Sequence, residues 1–417
     1  MRVLFVSDVY FPRVNGVSTS IATFRTDLAA AGVRTTLVAP LYATAGAAAE
    51  ATTADADPEL IRVPAAGVPR DPEDRRMRWG ELGRTLRALA TRRFDLVHIH
   101  TPFLAHYAGL RFARAQGIPV LETYHTFFEE YLHHYVPLLP RALGRRLARG
   151  VTRSQCAQVD AIVAPSQPMR AMLEAIGVTQ PVQVIPTGLP ADRFVRGDGV
   201  RFRSMHGLPA ERPLLLYVGR VAHEKNIGFL IDAFLEVRRA RRDALLVIAG
   251  EGPARAALLA HVERLGLTND VAFVGYLDRD RGLADCYAAA AVFVFASRTE
   301  TQGLVLLEAM AQGCAVVSTA HLGTASILLP GCGAHVAPDE TGAFASAVIG
   351  LLDDPERAAR LGAQARRYAQ GWASSLMAWR MREFYAEQCA RVKIGPEVAA
   401  AGEPGEQHER QTCPDSR

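Results

Sequence analysis

The sequence predicts an α/β protein of two Rossmann-like, doubly wound domains in tandem, with a ligand cleft between them. Short apolar strands alternate with longer amphipathic segments, the pattern of parallel sheets with crossover helices. The strands are β-branched runs without polar alternation, which suits sheets covered on both faces. Around Pro186-Thr187-Gly188-Leu189-Pro190 the alternation stops, and it then restarts as a second series. A chain of 417 residues has the length for two such units.

In the first series the predicted strands are Val3–Ser7, Thr35–Ala39, Leu96–Ile99, Val120–Thr123, Ala161–Ala164 and Val182–Ile185. Helical periodicity marks Ser18–Ala31, Leu82–Ala90 and Ala142–Gln158, and the Ala/Thr/Asp stretch 43–58 reads as a loop. Turn formers and charges from Pro186 to Pro213 read as an interdomain linker. The second series has strands at Leu214–Val218, Leu245–Ala249, Val271–Val274, Val292–Phe295 and Ala315–Ser318. Its helices are Ile227–Arg239, Ala254–Leu265, Leu304–Gln312, Ala343–Leu352 and Pro355–Gln370. A last helix, about 372–392, is expected to pack back on the first domain. The domains so drawn are 1–190 and 191–371, and the polar tail 393–417 is expected to be disordered. Both sheets would turn their strand C-termini to the cleft, where open α/β sheets bind ligands.

Composition bounds the function. With 49% hydrophobic and 22% charged residues, a mainly disordered chain is excluded. A net charge of +4 is too small to argue for a nucleic-acid partner. The six cysteines form no CxxC pair and no zinc spacing, which points to reduced thiols in a cytoplasmic protein. The run Val3-Leu4-Phe5-Val6 is too short for a signal peptide and nothing approaches a membrane span, so the protein is expected to be soluble or to lie on a membrane surface. Lysine occurs only at 225 and 393, and asparagine only at 15, 226 and 269, in a chain rich in Arg and Ala. Residues that persist against such a drift mark specific chemistry, and Lys225 and Asn226 are adjacent.

Three segments carry that chemistry. The first is Arg298-Thr299-Glu300-Thr301-Gln302-Gly303-Leu304, leading into the apolar helix that holds Glu308. Gly303 lets backbone approach a ligand at the helix start, where free amides and the dipole suit a diphosphate. Glu300 lies in the preceding loop, able to accept hydrogen bonds from sugar hydroxyls. Glu308 is a carboxylate among Leu306, Leu307, Ala309 and Met310, so it needs a partner if buried. The second segment is Tyr217-Val218-Gly219-Arg220, followed five residues on by Lys225: a guanidinium and an ammonium at a strand end make a two-point clamp for a diphosphate. The third is the turn Asn15-Gly16 before the first helix, weak by itself. No GxGxxG follows the first strand, so a nicotinamide or flavin enzyme has no support.

Together, the Glu-x7-Glu segment, the Gly-Arg-x4-Lys turn and the Asn-Gly loop resemble retaining glycosyltransferases of family four, which have the two-domain GT-B fold. The resemblance covers residues 1 to about 392. It implies that Arg220 and Lys225 hold a nucleotide diphosphate and that Glu300 binds donor-sugar hydroxyls, with the backbone of Gly303 and Leu304 nearby. It also implies that Glu308 binds ribose hydroxyls. By the same resemblance Gly250-Glu251-Gly252 and Val274-Gly275-Tyr276 flank the nucleobase, with Gly219 in the turn. Gly16 would close over the phosphates, although many members carry two glycines where this chain has Asn15-Gly16. His125 resembles the family's active-site histidine beside the anomeric carbon, with His100 and Tyr124 on the acceptor side.

The implied reaction is transfer of a hexose, glucose or mannose, from a nucleotide diphosphate sugar to an acceptor hydroxyl with retention of the α configuration. No Asp-x-Asp is read at a strand end, so no metal and no further cofactor are expected. The segment Tyr124–Leu132 resembles the subgroup that glycosylates diacylglycerol-type lipids, in company with α-mannosyltransferases. The alternatives are a transferase acting on a soluble or polysaccharide acceptor and, in another class, a nucleotide-sugar 2-epimerase, against which the Gly-Arg-x4-Lys turn argues. Arg141, Arg145, Arg149 and Arg153 recur every four positions along one helix side, and Arg75-Arg76-Met77-Arg78-Trp79 adds charge beside an interfacial aromatic. Both suit an anionic membrane surface on the inner face of the cytoplasmic membrane; a solvated arginine face is the other reading. Leu143, Leu147 and Val151 suit either the membrane or the sheet.

Overall fold

The computed structural model describes residues 1–42, 57–68, 71–125, 141–278 and 281–394. In chain order the first domain runs β1 (Arg2–Val6), α1 (Gly16–Ala30), β2 (Arg34–Pro40), β3 (Leu60–Val63), β4 (Ala65–Val68), β5 (Asp71–Met77), α2 (Trp79–Leu89) and β6 (Leu96–Ile99). It continues with α3 (Leu104–Gln116), β7 (Val120–Thr123), α4 (Arg141–Cys156), β8 (Ala161–Ala164), α5 (Gln167–Ala175) and β9 (Val182–Val184). The second runs α6 (Gly199–Met205), β10 (Leu214–Val218), α7 (Ile227–Ala240), β11 (Leu245–Ala249), α8 (Arg255–Arg264), β12 (Val271–Gly275), α9 (Gly282–Ala288) and β13 (Val292–Phe295). After it come α10 (Leu304–Ala311), β14 (Ala315–Ser318), α11 (Gly323–Ile327), β15 (Ala334–Val336), α12 (Thr341–Leu352), α13 (Pro355–Gln370) and α14 (Ser374–Ile394).

Two sheets result. The first has seven strands in the order β3-β2-β1-β6-β7-β8-β9, and the second six in the order β12-β11-β10-β13-β14-β15, all pairs parallel. In each, the chain winds outward from a central strand, then returns to wind the other way. The order reverses between β1 and β6, and again between β10 and β13. At such reversals neighbouring loops diverge and open a crevice at the strand C-termini.

Apolar residues cover both faces of each sheet. On the first, one face packs Leu82, Leu86, Phe112 and Met169 from the flanking helices, and the other packs Ile21 and Leu28 of α1 with Met377, Met381, Phe384 and Tyr385 of α14. The last described helix is thus part of the first domain's core. The chain crosses between domains twice, side by side: Leu189 N–H donates to Trp372 O at 2.7 Å and Ser374 N–H to Leu189 O at 2.9 Å. A Cβ on Gly188 would run into the Ser374 backbone, so the two crossings pack closely.

Several elements depart from the sequence reading. The segment 186–213 is not a plain linker: Asp198 accepts the Val200 and Arg201 amides at 3.0 Å each, starting α6, and Phe202 on that helix is buried in the second core. The β4–β5 hairpin, antiparallel and outside the main sheets, was not expected, nor were β3, α3, α5, α9, α11 and β15. The expected disordered tail falls mostly on residues 395–417, outside the described residues, as does most of the expected loop 43–58.

Candidate active site

The two sequence segments with the strongest chemistry follow β10 and β13, which flank the reversal in the second sheet. Gly219, Arg220 and Lys225 lie after β10; Glu300 and Gly303 lie after β13. Asn226 adopts φ 56°, the left-handed region that asparagine tolerates better than most residues, and its side-chain amide donates to Ala296 O at 3.2 Å. One of the chain's three asparagines therefore ties the two loops together. Across the tie, Lys225 Nζ meets Glu300 Oε1 at 2.6 Å, both side chains mostly buried. The ammonium has three donors, of which Glu300 takes one, and the pair bridges the two loops.

Gly303 has φ 96°, and a Cβ there would stand 3.0 Å from Thr324 Cγ2, so the sharp entry into α10 requires glycine. Within α10, Glu308 is buried, and the Tyr287 hydroxyl donates to its Oε2 at 3.0 Å. Tyr287 was not foreseen; a fully buried tyrosine on α9 gives no sequence sign of its target. The loops after β10, β11 and β12 are laced by backbone bonds: Gly219 N–H to Ala249 O at 3.0 Å, Val221 N–H to Glu251 O at 2.9 Å and Gly250 N–H to Gly275 O at 2.8 Å. Side chains at Gly250 or Gly252 would collide with the carbonyl oxygens of Gly219 and Val221. Tyr276 follows this lacing, 59% exposed, its ring open to a planar ligand.

In the first domain, Asn15 Oδ1 accepts the Ser18 amide at 2.8 Å and caps α1, with Gly16 as its first residue and open space where a Cβ would be. His125 follows β7, and its Nε2 lies 3.3 Å from His100 Nδ1 at the end of β6. Burial pushes the His125 imidazole down to about 4, His98 to about 3 and His100 well below its ordinary value. His98 is held between the Tyr385 hydroxyl at 2.6 Å and Thr123 Oγ1 at 2.7 Å. Tyr124, expected on the acceptor side, is turned the other way. It is buried in the core of the first domain, and its hydroxyl lies 3.2 Å from Thr152 Oγ1, because successive residues leaving β7 alternate faces. His100, expected there too, lies buried behind His125.

The domains meet beside Glu300. Ser166 Oγ donates to Thr301 O at 2.7 Å, and the Gln302 amide both accepts from Thr187 N–H at 2.8 Å and donates to Thr187 O at 2.6 Å. These joints went unforeseen, since a glutamine pairing with a distant peptide leaves no local pattern. One Asp-x-Asp was overlooked: Asp278 and Asp280 do follow β12. Asp278 accepts the Arg281 and Gly282 amides at 2.9 and 3.1 Å before α9, while Asp280 lies outside the described residues. Among the described residues, no three His, Cys, Asp or Glu side chains are grouped to hold a metal ion.

On α4 the face toward the core carries Gly144, Ala148, Thr152 and Cys156, while Arg145, Arg149 and Arg153 are exposed. Leu143, Leu147 and Val151 are exposed as well, at 54, 56 and 43%, so they are not the face packed on the sheet. They line a groove with Tyr107 of α3. No helix among the described residues is long and apolar enough to cross a membrane.

Residues 14–193 match the family model described as Glycosyltransferase Family 4, and residues 201–368 match Glycosyl transferases group 1. The alpha-monoglucosyldiacylglycerol synthase of Streptococcus pneumoniae is 32% identical over 332 residues, covering 76% of this chain and 71% of that protein. The chain belongs to glycosyltransferase family four. This glycosyltransferase is also 29% identical over 382 residues to the GDP-mannose-dependent alpha-(1-6)-phosphatidylinositol dimannoside mannosyltransferase of Mycobacterium tuberculosis, covering 91% and 95% of the two chains. Its fold is that of sucrose-phosphate synthase from Thermosynechococcus elongatus, with a TM-score of 0.75, 23% identity and coverage of 93% and 99%. The architecture is therefore GT-B.

Proposed function

We propose that this glycosyltransferase moves a hexose from a nucleotide diphosphate sugar to a hydroxyl of a membrane lipid such as diacylglycerol, with retention and without a metal. The observation that carries the donor half is the Lys225–Glu300 pair, set at the reversal of the second sheet beside the Gly303 entry to α10. A diphosphate there would meet the Lys225 ammonium, the Arg220 guanidinium and the helix-start amides, while Glu300 accepts from sugar hydroxyls. Charge developing on the leaving diphosphate is stabilised by donors already in place. Glu308 would hold the ribose, and Tyr276 and the Gly250–Gly252 loop the base. His125 and Gly16 would approach from the first domain. With no carboxylate among the described residues assigned as a covalent nucleophile, we infer that the acceptor attacks from the side of the leaving group, whose phosphate oxygen takes the acceptor proton.

Support for a lipid acceptor comes from the two relatives, whose names specify lipid products, and from the α4 surface. Exposed Arg145, Arg149 and Arg153 beside Leu143, Leu147 and Val151 combine charge for an anionic leaflet with apolar side chains for its interface. On this reading the enzyme works peripherally on the cytoplasmic membrane. The test is incubation with UDP- and GDP-hexoses, with diacylglycerol vesicles or soluble sugars as acceptor, with and without EDTA. Product on lipid, of α configuration and insensitive to EDTA, supports the proposal; product only on soluble sugars removes the lipid half.

A further inference from the structure

We propose that His100 is a positioning residue that holds His125 with its Nδ1–H directed to substrate as a hydrogen-bond donor. The proposal deepens the reading of His125 as an active-site residue and rests on it. The 3.3 Å contact between His100 Nδ1 and His125 Nε2 needs one donor and one acceptor. Both rings are held neutral near pH 7 by burial, so each carries a single N–H. Two arrangements are then open. If His125 Nε2–H donates, the His100 proton must sit on Nε2, which is buried and has no partner among the described residues. A buried N–H without an acceptor is the rarer defect in proteins, and it costs its full desolvation. If His100 Nδ1–H donates instead, only a bare ring nitrogen is left in that position. His125 then accepts on Nε2 and must carry its own proton on Nδ1, which has no partner among the described residues.

The ring of His100 is itself set from behind. It packs against Phe5 at 4.6 Å and His98 at 4.2 Å between centroids, and His98 is pinned by Tyr385 and Thr123. Tyr385 belongs to α14, so the last described helix supports the histidine row. A neutral His125 with its proton on Nδ1 and its Nε2 already engaged has no lone pair to offer substrate. It therefore donates to a substrate oxygen and does not act as the base.

The tautomer is read directly from nitrogen-15 shifts of histidine-labelled full-length protein at pH 7, with His125→Gln assigning the signals. A protonated Nδ1 and bare Nε2 on His125 is expected; a protonated Nε2 overturns the proposal. Turnover gives a second readout. His100→Phe keeps the ring but not the donor, and should lower kcat about tenfold with donor KM unchanged, the loss of one hydrogen bond. His100→Asn places an amide N–H near the position of Nδ1 and should recover most of that loss. Equal kcat in both variants, high or low, contradicts the positioning role. If His125→Gln itself keeps full turnover, the active-site reading falls, while the nitrogen shifts still decide the tautomer.

Discussion

Lys225 and Glu300 are only 2.6 Å apart although 75 residues separate them in sequence, and the proposed donor site is organised around that contact. Lys225→Ala and Glu300→Ala are each expected to lower transfer by about 10²–10³, the scale for removing a contact realised in the transition state. Because the pair is partly solvent-accessible, melting temperatures should stay within a few degrees of wild type; turnover near wild type in either variant contradicts the assignment. Much of this was legible in the sequence. Lysine and asparagine are so scarce that Lys225-Asn226 stood out, and the structure gives Asn226 a backbone conformation and a tether that explain its presence. Glu308 was legible through its apolar neighbours, but its partner Tyr287 was not. Nor was the inward turn of Tyr124, since a one-residue shift past a strand end reverses the face.

Most strands were readable because they are short, largely apolar runs, and several boundaries match residue for residue, as at Leu214–Val218 and Val292–Phe295. The elements that escaped are short or polar. The hairpin strand Asp71–Met77 is mostly charged, and α6 holds one buried anchor, Phe202, in a stretch dense with turn formers. Loop packing yields a contrast between two glycines. Gly250→Ala drives a Cβ into the Gly219 carbonyl at φ 136° and is expected to cost about 2 kcal/mol or more, measured by urea unfolding. Gly228→Ala, inside α7 with nothing within 4 Å, should instead gain about 0.5–1 kcal/mol. A Gly250→Ala variant as stable as wild type would contradict the close loop packing. At α4, replacing Arg145, Arg149 and Arg153 by Glu should abolish co-sedimentation with anionic vesicles at low salt, each basic side chain near the leaflet contributing about 1 kcal/mol. Wild-type protein that ignores such vesicles removes the membrane role of this helix.

At the scale of the whole molecule, the two chain crossings and the joints from Ser166 and Thr187 to the β13 loop tie the domains together, and the first domain carries a row of three histidines. Their burial makes stability pH-dependent. His98, His100 and His125 stay neutral in the folded state well below 6.5, whereas in the unfolded chain they take up protons there. Acidification from pH 6.5 to 5 therefore favours unfolding through these groups. Asp8, raised to about 6 by burial, and Glu122, also raised, hold protons in the folded state and act in the opposite sense. His335, also lowered by burial, acts with the other three histidines, so four groups against two make acidification destabilising on balance. The melting temperature should fall between pH 6.5 and 5, and a flat or rising profile would show that the histidines are not held neutral. The central claim is the donor site at the reversal of the second sheet, and direct calorimetric titration with UDP and GDP tests it most directly. One of the two should bind wild-type protein without added metal, with affinity reduced at least tenfold by Lys225→Ala and falling with salt. Binding unchanged in Lys225→Ala, or no binding of either nucleotide, would contradict it.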